Sequence, residues 1–149
     1  MTAKFDILAA SDSDLESIAR IHREARLAAM PWLPDIHTPE EDLWFFQNIV
    51  FKQETLLVAR ESGRVLGFVA YKNDWLNHLY VAPAHWCKGV GAALLGAVRA
   101  ESPALQLWTF QKNLAARRFY EAHGFVECER TDGQDNEEKK PDMRMVWRP

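Results

Sequence analysis

Apolar positions along the chain change period several times, and each change marks an element. Residues 5–9 read as a short first strand. Ser11-Asp12-Ser13-Asp14 then offers helix caps, with Ser13 and Glu16 at capping-box spacing. Leu15, Ile18, Ala19, His22 and Ala25 recur on one helical face, and Pro31 and Pro34 end the run. His22 is expected to pack on that face. Thr38-Pro39-Glu40-Glu41 predicts a second helix, with a cap, a proline in the first turn and a glutamate closing the box. Leu43, Trp44, Phe45, Phe46, Ile49 and Val50 make that helix aromatic and apolar. The pattern then shortens to strands at 54–60 and 65–71, around a turn at Gly63, and at 75–81 after Asn73-Asp74. Val90, Leu94, Ala97 and Val98 restore a helical stripe, and residues 105–110 form the next strand. A last helix is capped by Asn113 and ended by Gly124, before strands at 125–130 and 143–147.

The order β-α-α-β-β-β-α-β-α-β-β predicts an α/β fold. The strand–helix–strand crossover makes 105–110 parallel to 75–81, whereas the hairpins are antiparallel, so the sheet is mixed. With 149 residues, one domain over 1–149 is expected. A hydrophobic fraction of 48% with six tryptophans is ample for a core. A net charge of −3 argues against a general nucleic-acid binder. No apolar run is long enough to span a membrane, and the first residues lack an apolar signal core. Cys87 and Cys128 have no metal-type spacing, so no metal is expected and the cytoplasm is the default compartment.

The candidate chemistry lies between 75–81 and the following helix. Gly89 and Gly91 sit in the first turn of that helix, each costing about 1 kcal/mol against alanine. Two such positions fit either a tight turn or the close approach of a ligand. Unpaired N–H groups at a helix start, with Lys88 beside them, suit a phosphate or pyrophosphate. No Gly-Lys-Ser/Thr follows, and only two glycines of a dinucleotide fingerprint are present.

Val81-Ala82-Pro83 followed by Cys87-Lys88-Gly89-Val90-Gly91-Ala92 resembles the acyl-CoA loop of the GNAT (GCN5-related) N-acetyltransferases, Gln/Arg-x-x-Gly-x-Gly/Ala, with Trp86 at the Gln/Arg position. Residues 113–125 resemble the late helix of that family, Asn-x-x-Ala-x-x-x-Tyr-x-x-x-Gly-Phe. The resemblance implies a GNAT acyl-CoA acyltransferase fold whose sheet splays between strands 4 and 5, with the pantetheine of acetyl-CoA in the gap. It implies backbone contacts from Leu79, Tyr80 and Val81 and a pyrophosphate cradle of Cys87, Lys88, Gly89, Val90, Gly91 and Ala92. It further implies a cofactor contact from Asn113 and Tyr120 as general acid. The activity implied is direct transfer of an acetyl group to a primary amine in a ternary complex, with a strand N–H near Val81 meeting the oxyanion.

The base is open. Some relatives carry a glutamate where this chain has Trp108, leaving Asp74, His78 and Glu41. His78 has a suitable intrinsic pKa. Strand alternation groups it with Leu76 and Tyr80, away from Leu79 and Val81, unless a bulge intervenes. Cys87 lacks the partners of a nucleophile. A non-catalytic acyl-CoA-binding or sensor module is the competing class, and Tyr120, Asn113, Gly89 and Gly91 argue against it. The acceptor is a small-molecule or peptide amine. Trp32, Leu33 and Trp44 are candidates for its pocket, with the polar 131–141 loop either a solvated connection or a flap. Acidic residues near both segments suit a cationic amine. Monomer and homodimer are both compatible with the sequence.

Overall fold

The computed structural model describes residues 5–149. The chain runs β1 (Asp6–Ala9), α1 (Leu15–Ala29), α2 (Pro39–Phe45), β2 (Thr55–Glu61), β3 (Arg64–Lys72), β4 (Trp75–Val81), α3 (Val90–Ala100), β5 (Leu105–Phe110), α4 (Leu114–Ala122), β6 (Val126–Arg130) and β7 (Asp142–Trp147). The predicted order of strands and helices is therefore present. α2 does not stay α-helical: it continues as a π-helical turn, Phe46–Val50, and ends in one more α-turn, Phe51–Gln53. The wider turn points Phe46 and Val50 inward together, both fully buried.

All seven strands form one sheet in the order β1-β2-β3-β4-β5-β7-β6. Among the described residues, only β4 and β5 are parallel neighbours. β3 lies in the antiparallel half, and its near-continuous apolar run, Val65 to Ala70, is buried on both faces. One face of the sheet packs on α3 through Val90, Leu94, Leu95 and Val98. The other packs on α1 through Leu15, Ile18, Ala19 and Ile21, joined by Phe46 and Val50. Burial of each such side chain stabilises the fold by about 1.5–3 kcal/mol.

The sheet opens between β4 and β5. Their ladder contains one residue pair, Trp75 with Gln106. Gln106 N–H donates to the Asp74 carbonyl at 2.8 Å, and its side-chain amide donates to the Asp74 carboxylate at 2.8 Å. Beyond that point β4 follows β3 while β5 stays registered on β7 from Leu105↔Trp147 to Phe110↔Asp142. The strands diverge toward their C-terminal ends.

Two local expectations change. The capping box at the entry to α1 uses Ser11 and Asp14, with Ser11 N–H donating to Asp14 Oδ2 at 2.9 Å, not Ser13 and Glu16. Asp14 is fixed there because it is buried and Arg60 of β2 donates to both its oxygens at 2.7 and 2.8 Å. In β4, Ala70 faces His78 but Tyr71 faces Leu76, so Asn77 is the extra residue of a β-bulge. The bulge breaks the simple alternation. Leu76, Leu79 and Val81 pack on the α3 side, whereas His78 and Tyr80 face α1 and Phe46.

The Asp14–Arg60 contact generates a stability prediction. Desolvation alone would raise the Asp14 pKa, but the Ser11 N–H and Arg60 outweigh it and hold it below its usual value. A depressed carboxylate pKa contributes stability that is present above the unfolded value of 3.8 and is lost as pH falls through the folded value. Asp14→Ala removes both the cap and the ion pair, and should lower unfolding free energy by about 1–3 kcal/mol at neutral pH in urea titration. The deficit relative to the native chain should shrink below pH 4.

Candidate functional site

The gap between β4 and β5 leaves strand groups unpaired. Ala82 N–H donates to Leu66 O at 2.8 Å. Tyr80 O also faces β3, so close to Gly67 that a Cβ there would lie 2.8 Å from it. By alternation, Val81 and Leu79 turn their backbone groups toward the gap. Of the three residues expected to offer backbone contacts, Leu79 and Val81 have groups facing the gap, while those of Tyr80 are engaged by β3. The Val81 carbonyl already has one donor, Trp86 Nε1 at 2.7 Å. That bond folds the loop start back onto β4 and gives Trp86 a structural use at the position where the sequence departs from the family pattern.

Residues 87–92 turn the chain into α3. Cys87 and Gly89 hold positive φ angles of 62° and 83°. A Cβ at Gly89 would meet nothing within 4 Å, so the loop faces open space. Among the described residues, none of the N–H groups from Cys87 to Ala92 donates to an acceptor in the chain. These free donors, the positive end of α3 and the exposed Lys88 make an anion cradle. Gly91 has a different role: a Cβ there would contact the Phe119 ring at 3.5 Å and Val81 Cγ2 at 3.8 Å. The small residue lets the start of α3 sit against α4.

Tyr120 lies next to Phe119 on α4. Its ring meets those of Phe119 and Phe125 at centroid distances of 5.3 Å. Burial, with Tyr80 nearby, pushes its phenol well above the usual tyrosine range, so it is protonated and can donate at any ordinary pH. Asn113 caps α4, accepting from Ala116 N–H at 3.2 Å, and its amide donates to Met30 Sδ at 3.5 Å.

On the opposite face, His78 is half-buried among aromatic rings, 5.5 Å from Phe46 and 5.9 Å from Phe45 and His22. Burial and then Arg26 lower its pKa to about 4. It is neutral at pH 7 and a weak base. His22 is fully packed, 4.9 Å from Tyr80, with its Nδ1 unpartnered and its pKa pushed down to about 2 by desolvation and His78.

The three pocket candidates separate. Trp32 stacks edge-on to Phe110 at 5.9 Å, with Lys112 Nζ 5.7 Å over its ring, at the open end of β5. Leu33 is 8% exposed and lines a narrow cleft with Arg26 and His37 on the α1 side. Trp44 is 58% exposed on α2. The 131–141 loop is a strap rather than a loose connection. Asn136 Nδ2 donates to Lys140 O at 2.7 Å and Asp142 Oδ2 at 3.1 Å. The strap reaches across to the α1 side, where Arg26 donates to Glu138 at 3.2 Å and His37 Nε2 lies 2.5 Å from Glu137. A cleft of about 580 Å³ lies beside it, floored by Trp108 and Phe110. Glu138 was one of several acidic residues that suited a cationic amine in sequence, but its pairing with Arg26 and the cleft position of Trp108 carried no signal, since residues 112 apart in the chain meet only through the fold. Among the described residues, no cluster of three or more His, Cys, Asp or Glu could hold a metal ion, and no helix is long and apolar enough to cross a membrane.

Residues 16–125 match the family model described as Acetyltransferase (GNAT) family. A curated relative, the peptidyl-lysine N-acetyltransferase YiaC of Escherichia coli K12, is 38% identical over 93 residues. The match covers 60% of this chain and spans about three-fifths, 61%, of that relative. The PaiA N-acetyltransferase of Thermoplasma acidophilum, solved in complex with coenzyme A, superposes with a TM-score of 0.78 at 20% identity over 100% of both chains. YncA of Salmonella typhimurium, a putative acetyltransferase solved with acetyl-CoA, gives 0.71 at 22% identity over 97% of this chain and 94% of that one.

The strap contacts predict a pH response. Slight burial disfavours charge on His37, but Glu137 and Glu41 outweigh it and raise its pKa above 6.5. A raised histidine pKa gives attachment that is full below about pH 6.5 and is lost as pH rises through the higher folded value. An NMR titration of the His37 ring should give a midpoint above 6.5 that drops in Glu137→Gln. An unchanged midpoint in the variant would remove the His37–Glu137 latch.

Proposed function

The chain belongs to the GNAT acetyltransferase family, and from that premise we propose that it transfers an acetyl group from acetyl-CoA to a primary amine in a ternary complex. The observation that carries this reading is the convergence of three features: the open gap of β4 and β5, the donor-rich loop 87–92, and Tyr120, which is joined to that loop through the Gly91–Phe119 contact.

The residues fit the co-substrate. The free N–H groups of 87–92 with Lys88 suit its pyrophosphate, and the open space at Gly89 leaves room for it. The gap-facing groups of Leu79 and Val81 suit an amide chain laid in as an added strand. Asn113 stands near the same end, its carbonyl engaged by the α4 cap and its amide only by a weak sulfur acceptor. Acetyl-CoA supplies the acetyl thioester. A gap-facing N–H near Val81 stabilises negative charge growing on the carbonyl oxygen. As the C–N bond forms and the C–S bond breaks, Tyr120 gives its phenolic proton to the leaving sulfur. It regains one from the acceptor nitrogen through solvent, so one proton is released per ammonium consumed.

An acceptor ammonium must lose a proton before attack. His78, neutral and close to Tyr80, is the base candidate, although a pKa near 4 makes water an equal carrier. The acceptor enters between the Trp32–Trp44 region and the strap, and its class is a cationic amine. The printed activity of the Escherichia coli relative supports a lysine-like acceptor. The exposed, unpaired Cys87 and Cys128 suit a reducing compartment such as the cytoplasm.

Two outcomes follow. Gly89→Glu forces a side chain onto a positive φ and aims a carboxylate at the cradle, so calorimetry should show acetyl-CoA binding lost while the protein stays folded. Native affinity in that variant would sink the cradle. Tyr120→Phe keeps the ring packing and removes only the hydroxyl. Its kcat should fall about 100-fold or more with little change in acetyl-CoA affinity. Full turnover in the Phe variant would make Tyr120 a packing residue.

A further inference from the structure

Building on the acetyltransferase reading, we propose that Glu138 and the open face of Trp108 form the subsite for the acceptor ammonium and its aliphatic stem, and that this acceptor is a lysine side chain on a polypeptide. The cleft beside the strap is lined by Trp108, Phe110, Asp135, Glu138 and Asp142 among others, and no lysine, arginine or histidine lines it. Three carboxylates without a cation in the lining attract a cation and repel an anionic acceptor.

The three acids are not equivalent. Asp142 is committed to the strap, accepting from Thr131 Oγ1 and Asn136 Nδ2. Asp135 is exposed at the rim. Glu138 is half-buried; its Oε1 accepts from Arg26, and among the described residues its Oε2 has no partner. Arg26 fixes the direction of the carboxylate, leaving the second oxygen for an incoming N–H. Arg26 belongs to α1, so its bond holds Glu138 on the face of the sheet where His78 and Tyr80 stand.

Trp108 explains why the acceptor is carried on a chain. The ring is 43% exposed and separates this cleft from a second one of about 520 Å³, bordered by Lys72, Trp75 and Asn77. Both clefts are open, the Trp108 ring borders each, and Lys72 borders only the second. Such a face supports an unbranched methylene stem and attracts an ammonium. A small amine would leave most of this open ground empty, whereas residues flanking a lysine have a cleft on either side of the ring to occupy.

The test compares two acceptors: a lysine peptide blocked at its N-terminus, and p-anisidine, whose amine is neutral at pH 8. In Glu138→Gln, kcat/KM for the peptide relative to p-anisidine should fall about tenfold, the equivalent of about 1.4 kcal/mol. The loss should sit in KM, with acetyl-CoA KM held, and Glu138→Asp should recover part of it. Trp108→Ala should lower the peptide value more than that of lysine methyl ester. An unchanged acceptor ratio in Glu138→Gln, or equal losses for both acceptors, would overturn the subsite. Calorimetric binding of the same peptide to the CoA-loaded protein separates this from the reading beneath it. If native protein turns over no amine, the acetyltransferase reading fails, and peptide affinity in Glu138→Gln still decides the subsite, weaker binding supporting it and equal binding overturning it.

Discussion

One missing ladder governs this protein: β4 and β5 share a single residue pair. Backbone N–H and C=O groups that leave a sheet need other partners, because burying them unpaired is costly. The chain meets that demand in part through Trp86, which donates to the Val81 carbonyl. The remainder faces the gap, so the sheet is held open by its own pairing preferences: β4 to β3, β5 to β7, and the two together only at the Asp74–Gln106 clip.

Strand alternation makes that opening two-sided. It puts Leu79 and Val81 on the α3 side and His78 and Tyr80 on the α1 side, and the bulge at Asn77 brings Leu76 onto the α3 side as well. The anion cradle and Tyr120 belong to the first side. Arg26, the histidine pair and the strap belong to the second. A ligand in the gap would lie between the Tyr120 side and the Arg26–strap side, an arrangement suited to direct transfer between two bound molecules. The depressed pKa values of His22 and His78 follow from the same packing, since burial strips the rings of water and Arg26 opposes a further positive charge.

The strap turns two distant segments into one wall. Its internal bonds shape it, with Gly133 at a φ of 85° packed against Lys140 so closely that no side chain fits there. Glu137 and Glu138 then reach His37 and Arg26. These pairs neutralise part of the acidity that makes the loop look merely solvated in sequence, and they leave the cleft itself anionic.

The sequence alone determined the order of elements, the parallel crossover, the glycine loop and the Asn113–Phe125 block, because these are local: period, caps and turn residues act within a few positions. It also determined that Gly89 and Gly91 needed an explanation, though not that one faces open space and the other Phe119. The tertiary structure decided the rest. The cap moved to Ser11–Asp14 because a buried carboxylate needed Arg60. In β4, alternation already set His78 and Tyr80 against Leu79 and Val81, and the bulge at Asn77 changed only the face of Leu76. The Arg26–Glu138 pair, the clefts along Trp108 and the strap's attachment depend on contacts between residues far apart in the chain, which pattern reading does not contain.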